Sequence, residues 1–228
     1  MAPPLDANGN YHSHLSDATG SVPRVSQTSE GFRPPQQARS RASLQKVLTA
    51  AEHVLAEQGL ESFTVAAVAS QAGMSVGTIY RRFDGKEQLL HAVKDRLLTQ
   101  LETNVRDALR SASPDLRSLF AAFVAALAQT FADHDRIFPE LLDAQRSDAR
   151  DRGLAALSAI QDALLEALSP ADVSDVKMAA RTIIGACVHR AATCRFWPDD
   201  RSWKTWAEEA TEMALTYLTS PAAPPARM

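Results

Sequence analysis

Apolar residues recur at helical spacing through most of the chain. One stretch places them three and four positions apart, which aligns them on one side of a helix: Leu44, Val47, Leu48, Ala51, Val54 and Leu55. Gly59 follows and predicts the end of this helix, because glycine adopts the left-handed conformation without strain. The same period predicts a long helix from Lys86 to about Leu109, through Leu90, Val93, Leu97, Leu101 and Val105, and a further one through Leu116, Leu119, Phe120, Phe123, Leu127 and Phe131.

Polar residues mark the starts of several helices. Asp84, with Glu87 three positions later, has the spacing of a capping box. Ser113-Pro114 and Ser169-Pro170 each combine a capping residue with proline at the first helical position. Ser202 can cap a last helix. The remaining predicted helices span 135–147, 150–168, Pro170 to about Phe196, and 203 to Leu218. No convincing run of alternating β-branched residues occurs, so the predicted fold is all-α.

Prolines mark the limits of the folded part. Of the 12 prolines, five lie before residue 39 and three after residue 220. Residues 1–38 are rich in polar residues and poor in aliphatic ones, which predicts a disordered arm. Residues 221–228 are predicted to be a disordered tail. We expect everything between these segments to be folded.

The charge totals at first argue against nucleic-acid binding. The formal net charge is −3, whereas DNA-binding domains are usually basic. The distribution changes this interpretation. Residues 39–96 carry eight Lys or Arg against six Asp or Glu, while residues 97–228 carry 14 against 18. Positive charge is therefore concentrated in the first third of the folded region.

Nothing in the sequence suggests a membrane protein or a secreted one. We expect no apolar run long enough to span a bilayer, and the N-terminus lacks the basic start and apolar core of a signal peptide. Cys187 and Cys194 are seven residues apart, two helical turns, which is too far for a disulfide. The interpretation is a cytoplasmic protein with reduced thiols that are structural rather than redox-active.

Residues 63–90 differ from the rest of the chain. Thr64 can cap one short helix, Gly73 can supply a sharp turn, and Ser75 can cap a second short helix. Two short helices joined by a glycine-containing turn match the helix-turn-helix plan. In that plan the second helix enters the major groove of DNA.

The side chains of the second short helix suit this role. Ile79 and Phe83 lie four residues apart and can anchor it. The outward positions are Val76, Gly77, Arg81 and Arg82, with Thr78 and Tyr80 at the flanks. Gly77 would let the backbone approach DNA closely, and arginine is the usual donor to guanine. Lys86 opens the next helix, where a phosphate would be attracted.

The order of residues makes the resemblance specific. Phe63-Thr64, Val68-Ala69, Ala72-Gly73-Met74-Ser75, Gly77-Thr78-Ile79-Tyr80, Arg82-Phe83, Lys86-Glu87 and Leu89-Leu90 resemble the DNA-binding domain of TetR-type transcriptional regulators. The resemblance covers about residues 41–90. It implies a three-helix domain over 39–86 and a helical regulatory and dimerisation domain over 87–220. This sequence departs from the family's core pattern upstream, where about 40 residues precede the first helix.

The resemblance also implies partners and roles. It implies a homodimer that binds a palindromic operator, usually as a repressor, and releases it when a small-molecule effector binds. Carried over by position, Thr64, Ser75, Thr78, Tyr80 and Lys86 would hold phosphates. Val76, Gly77, Arg81 and Arg82 would meet base edges. Arg33, Arg39 and Arg41 could reach the minor groove, although an ordinary linker is the favoured interpretation.

Two further sites are expected in the regulatory domain. Ligand-pocket candidates are mostly aromatic or apolar: Phe120, Phe123, Phe131, Phe138, Leu142 and His189, which could equally form solid core. Dimer-interface candidates lie on the last two helices: Ile183, Ala191, Trp203, Trp206, Met213 and Tyr217, with intramolecular core as the alternative.

Other functions remain as alternatives. A DNA-binding regulator without a small-molecule ligand is one, and a helical enzyme or interaction module with a coincidental motif is another. No catalytic constellation stands out, so we expect no enzyme activity and no cofactor. His134 and His189 lack further ligands at metal spacing, so we expect no metal site.

Overall fold

The computed structural model describes residues 36–142, 147–168, 173–193 and 200–220. Within these ranges the chain forms helices and no strand, as the all-α prediction requires. The helices are α1 (Gln36–Ser62), α2 (Val65–Ala72), α3 (Val76–Tyr80), α4 (Lys86–Ser111), α5 (Leu116–Asp133), α6 (Phe138–Leu142), α7 (Ser147–Ala167), α8 (Val173–Thr193) and α9 (Trp203–Thr219).

Helix α1 begins earlier than predicted. Its first residue, Gln36, falls inside the segment expected to be a disordered arm, so that arm prediction is wrong for residues 36–38. The end near Gly59 is confirmed: the backbone there leaves the helical region, with φ 71° and ψ 175°. Only the short helical stretch to Ser62 follows this kink.

Of the predicted caps outside the two short helices, one is confirmed and two are wrong. Ser202 caps α9, its Oγ accepting from the Thr205 N–H at 3.0 Å. The capping box at the start of α4 is wrong, since Gly85 is the capping residue and the Asp84 N–H donates to Oε1 of Gln88 at 2.6 Å. Ser113 does not cap α5; Asp115 does, accepting from the Ser118 N–H at 2.9 Å.

The middle of the chain departs most from the predicted boundaries. Of the helix expected over 135–147, residues 135–137 form a turn, residues 138–142 form α6, and residues 143–146 lie outside the described residues. The next helix starts three residues before its predicted position, at Ser147. Ser169-Pro170, Phe196 and Cys194 lie outside the described residues, as does Arg33. The described part of the helix expected after Pro170 is α8.

Helices α4 and α5 organise the core. Helix α5 packs against α4 and α9, and α4 also packs against α7 and α1. Eight apolar side chains of α4 are buried: Leu89, Leu90, Val93, Leu97, Leu98, Leu101, Val105 and Leu109. One long helix therefore joins the segment with the helix-turn-helix pattern to the helices that follow.

Helix α5 is more apolar than expected. Contrary to the expectation from the sequence, Leu116–Asp133 is long and apolar enough, by length and composition, to cross a membrane. Half of it is buried inside the protein. Phe120, Phe123 and Val124 are completely buried, so core packing accounts for this composition.

Candidate nucleic-acid interface

Local capping builds the two short helices. The Oγ1 of Thr64 accepts from the Ala67 N–H at 3.0 Å, which starts α2. Gly73 ends it in the left-handed conformation, with φ 59° and ψ 43°. The Oγ of Ser75 then accepts from the Thr78 N–H at 3.2 Å and starts α3. The predicted helix-turn-helix is confirmed at each of these three residues.

Two apolar anchors hold α3 so that its other side faces outward. Ile79 is completely buried and Phe83 is 6% exposed, as predicted. Val76 and Tyr80, on the other side of α3, are exposed by 40% and 52%. Nothing lies within 4 Å of a Cβ placed on Gly77. The outer face of α3 is thus open to a large partner.

The polar side chains on this face form hydrogen bonds with one another. Ser75 and Thr78 share a hydroxyl–hydroxyl bond of 2.8 Å. Arg81 Nη2 donates to Thr78 Oγ1 at 3.2 Å. Because the Arg81 guanidinium carries five donors, most of them stay available while this bond fixes its direction.

Two predicted DNA contacts bond within the chain. Arg82 Nη2 donates to the carbonyl oxygen of Ser40 at 3.1 Å and to its Oγ at 3.0 Å. Lys86 Nζ donates to the carbonyl oxygen of Leu60 at 2.7 Å and lies 6.0 Å from the ring centre of Phe63. Both cations connect the helix-turn-helix region to α1. Neither bond could be read from the sequence, because the partners are 42 and 26 residues away.

Glu140 of α6 accepts a hydrogen bond from the last turn of α1. Just after the Gly59 kink, the Leu60 N–H donates to Oε2 of Glu140 at 3.2 Å. Arg136, before α6, pairs with Glu57 of α1 at 3.3 Å. Sequence reasoning missed Glu140, since nothing local marks a carboxylate that acts 80 residues away.

A second junction joins α1 to α4. Arg96 Nε lies 3.3 Å from the carboxylate of Glu52, and its Nη1 donates to Thr49 Oγ1 at 3.1 Å. Burial raises the pKa of Glu52, and this cause outweighs the opposing effects of Arg96 and His134. The ion pair therefore sits where water is partly excluded.

The helix α4 is also tied to α7. Arg152 donates from Nε to Asp95 at 2.6 Å, from Nη1 to Glu102 at 2.7 Å and from Nη2 to Thr99 at 3.2 Å. Asp95 and Arg96 are neighbours on α4, so adjacent positions of this helix bond to α7 and to α1. A displacement of α4 would disturb both junctions.

The predicted ligand pocket stays a prediction, and its six residues occupy different environments in the structure. Phe120, Phe123, Phe131 and Phe138 are all at most 3% exposed and pack as a solid core. The rings of Phe131 and Phe138 are 4.4 Å apart, and Trp203 stacks on Phe131 at 6.0 Å.

The other two pocket candidates differ from these four. Leu142 is only partly buried, and His189 is exposed on α8, outside this buried cluster. The helical period that suggested a pocket is equally the period of a filled core.

The six predicted dimer residues divide into two groups. Ile183 and Ala191 are buried within the chain, at 1% and 3% exposure, and Trp203 and Trp206 pack edge to face at 5.8 Å. Ile183 and Ala191 belong to the buried core, whereas Trp203 and Trp206 are partly buried and pack against it. Met213 and Tyr217 are exposed, by 55% and 52%.

Two grooves open on the surface of α9. The groove between α8 and α9, of about 230 Å³, is apolar and is lined by Met178, Ala179, Thr182, Ile183, Met213, Ala214 and Tyr217. Met178, on its α8 side, is 58% exposed. A larger groove between α5 and α9, of about 770 Å³, has a floor of alanines with Trp203 and the Arg117–Glu212 ion pair on its walls.

Comparison with known proteins places these features in a family. Residues 47–93 match the family described as bacterial regulatory proteins, tetR family. The chain is 31% identical over 114 residues to the uncharacterised HTH-type transcriptional regulator TtgW of Pseudomonas putida, covering 49% of this chain and 80% of TtgW. It is 26% identical over 156 residues to the HTH-type transcriptional activator FasR of Mycolicibacterium smegmatis, covering 67% of this chain and 70% of FasR.

A solved structure of a transcriptional regulator has a similar fold. The transcriptional regulator FadR of Bacillus subtilis, solved in complex with stearoyl-CoA, superposes with a TM-score of 0.63 at 19% identity, covering 76% of this chain and 98% of FadR. At this identity the likeness concerns the fold alone. Together with the capped α2–α3 pair and its open face, the sequence matches establish that this chain belongs to the TetR family of bacterial regulatory proteins.

Proposed function

We propose that the chain is a cytoplasmic, sequence-specific transcriptional regulator that reads DNA with α3. The observation that carries the proposal is the outer face of α3. Val76, Gly77, Tyr80 and Arg81 are exposed there, while Ile79 and Phe83 hold the helix against the core. In a helix-turn-helix protein this face lies in the major groove. The relatives above are named transcriptional regulators, which supports the same role and gives no support to an enzyme.

Within this interface the residues have different roles. We assign Val76, Gly77 and Arg81 to base edges, and Thr64, Ser75, Thr78 and Tyr80 to phosphates. The Thr64 hydroxyl, which accepts from its own helix, still carries a hydrogen to donate to a phosphate. In the Ser75–Thr78 pair one hydroxyl donates to the other, which leaves one hydrogen for a phosphate. Lys86 is oriented by Leu60, and its two remaining donors stay available for a phosphate at the start of α4.

Selection of bound fragments from a random duplex pool tests DNA reading. The wild-type chain is expected to enrich one sequence, and Tyr80→Ala/Arg81→Ala to enrich none. Both side chains are exposed, so circular dichroism should be unchanged. Arg106→Ala/Arg110→Ala, at the far end of α4, is the matched control and should enrich the wild-type sequence. Enrichment by the Tyr80→Ala/Arg81→Ala variant as strong as that of the wild type would refute the proposal.

We further propose a homodimer that reads a palindrome. The support is the α8–α9 groove, where Met178, Met213 and Tyr217 remain exposed in the single chain. The enriched sequence should then contain two inverted half-sites with centres about 34–36 Å apart or a multiple of this distance.

Sedimentation velocity tests the dimer independently of DNA. Met213→Glu/Tyr217→Glu would bury two charges in the interface and should yield monomers. Leu154→Glu, at a 57% exposed leucine on α7, is the control and should remain dimeric. A dimer that persists in the double variant would place the interface elsewhere.

Finally, we propose that a small-molecule effector with a large apolar part releases the operator. The support is the stearoyl-CoA bound by FadR, whose fold this chain shares. Stearoyl-CoA is therefore the first probe. A binder should raise the melting temperature as its concentration exceeds its Kd.

The same probe must also act on DNA binding. By linkage it should weaken operator affinity by the same factor by which operator weakens its own binding. A probe that binds and leaves operator affinity unchanged would show binding without regulation. FasR is named an activator, so a reporter with the enriched sequence at its promoter should be read for repression and for activation.

A further inference from the structure

The start of α1 carries an unusual concentration of positive charge. From residue 31 to residue 51 the sequence has four basic residues and no acidic one, in a chain with a net charge of −3. Three of them, Arg39, Arg41 and Lys46, lie in α1, whose first acidic residue is Glu52. The excess is therefore local to the first half of one helix.

The first turns of α1 add no buried side chain to the core. Residues 37–42 are all exposed, and Val47 is the first buried residue of α1. From Gln36 to Leu44, the first side chain of α1 that packs against the core, the helix rises by about 12 Å. Its first turn holds no acidic residue. Basic residues near a helix N-terminus oppose the macrodipole and destabilise the helix, so a partner of negative charge would explain them.

The exposed turns lie beside α3. The two bonds from Arg82 to Ser40 fix the start of α1 against the residues that follow the recognition helix. Arg39 and Arg41 flank Ser40, about 100° around the helix on either side. Lys46 reaches the other end of the motif, since its Nζ lies 3.9 Å from a Cβ placed on Gly73. The positive surface of α1 is thus continuous with the proposed DNA interface.

We propose that the exposed first turns of α1 form an additional contact with the DNA backbone, in which Arg39 and Arg41 bind phosphates beside the half-site read by α3. This proposal rests on the proposed function. Arginine suits phosphates because its guanidinium can donate two parallel hydrogen bonds. Arg82 is then a positioning residue that holds α1 in place through Ser40, rather than the base contact expected from the sequence.

The salt dependence of DNA binding tests the contact. The affinity of the full chain for its enriched duplex, and for a scrambled duplex of equal length, is measured across a series of KCl concentrations. The plot of log K against log salt has a negative slope, and each lost phosphate contact makes that slope shallower by about 0.9. Arg39→Ala/Arg41→Ala should make it shallower by up to about 1.8 per protomer, on both duplexes.

Matched controls separate this contact from a general effect of charge. Arg106→Ala/Arg110→Ala removes the same net charge at the far end of α4 and should keep the wild-type slope. An equal loss in both variants would overturn the proposal, as would an unchanged slope in Arg39→Ala/Arg41→Ala. Failure of the wild-type chain to enrich any sequence would instead overturn the proposed function.

A double-mutant cycle tests the role of Arg82. Ser40→Ala removes the bond to Oγ and keeps the bond to the carbonyl oxygen. If Arg82 acts through Ser40, Ser40→Ala should therefore weaken binding by part of the loss seen in Arg82→Ala, and it should add nothing to Arg82→Ala. Arg82→Lys, which keeps the charge and can still donate, should restore part of the loss. If Arg82 instead contacts bases, Ser40→Ala will have no effect and Arg82→Ala will change the enriched sequence, which would overturn the positioning role.

Discussion

Substituting Gly77 by alanine should change stability and DNA binding in opposite directions. Gly77 lies inside α3 with helical geometry, and a Cβ added there meets nothing within 4 Å. Alanine in a helix is favoured over glycine by about 0.5–1 kcal/mol, because glycine loses more backbone freedom on folding. Since α3 has only five residues, the lower end of that range is expected. The melting temperature should rise by about 1–2 °C.

Binding should become weaker for a steric reason. If the backbone at Gly77 approaches the floor of the major groove, the new methyl group enters a filled space. Overpacking of a close contact costs about 1–3 kcal/mol, which corresponds to about a 5- to 150-fold loss for each half-site. The predicted variant is therefore more stable and binds its operator more weakly.

The assays are thermal unfolding and fluorescence anisotropy with the enriched duplex. Gly153→Ala is the matched control, because Gly153 also lies inside a helix and its added Cβ would meet only Lys94 Nζ, at 3.9 Å. It should raise the melting temperature and keep the wild-type affinity. A more stable Gly77→Ala chain with unchanged affinity would refute the close approach of α3 to DNA.

Three further predictions concern the core and one junction. Ile79→Ala removes a completely buried side chain and should destabilise the chain by about 2–5 kcal/mol, measured by urea unfolding. Burial strongly raises the pKa of the Cys187 thiol, so that thiol should resist alkylation at pH 8 until urea unfolds the chain; peptide mass spectrometry identifies the modified site. Burial also raises the pKa of Glu52 above its usual value of 4.5, so the folded chain holds this proton more tightly than the unfolded one. As the pH rises above 4.5, the wild type should lose stability relative to Glu52→Gln. A difference in the free energy of unfolding between the two chains that stays constant from pH 4 to 7 would contradict this.

Local signals predicted the recognition motif, whereas contacts distant in sequence escaped prediction. Thr64, Gly73 and Ser75 were interpreted correctly because a cap depends on residues only three positions apart. The capping box at α4 failed because Gln88, four positions from Asp84, competes for the same N–H. Even local rules therefore fail where two side chains can satisfy one donor.

The predicted ligand pocket stays a prediction for a different reason. Helical periodicity shows which side of α5 turns inward, but not whether the space it faces is filled. Phe120 and Phe131 satisfy the period and are packed, while His189 was grouped with them although it is exposed. The bonds of Arg82 to Ser40 and of Lys86 to Leu60 could not be predicted, because these partners lie 42 and 26 residues away and leave no pattern in the sequence.

The Glu140 contact has a consequence for chimaeric regulators. A fragment that stops at residue 93 contains every residue matched by the family and the whole of α3. It lacks the carboxylate that accepts from the Leu60 N–H and the arginine that pairs with Glu52. The helix-turn-helix region therefore depends on contacts from residues that this fragment lacks. Grafted onto a foreign regulatory domain, it should keep its DNA preference only if that domain supplies an acceptor where α6 now lies.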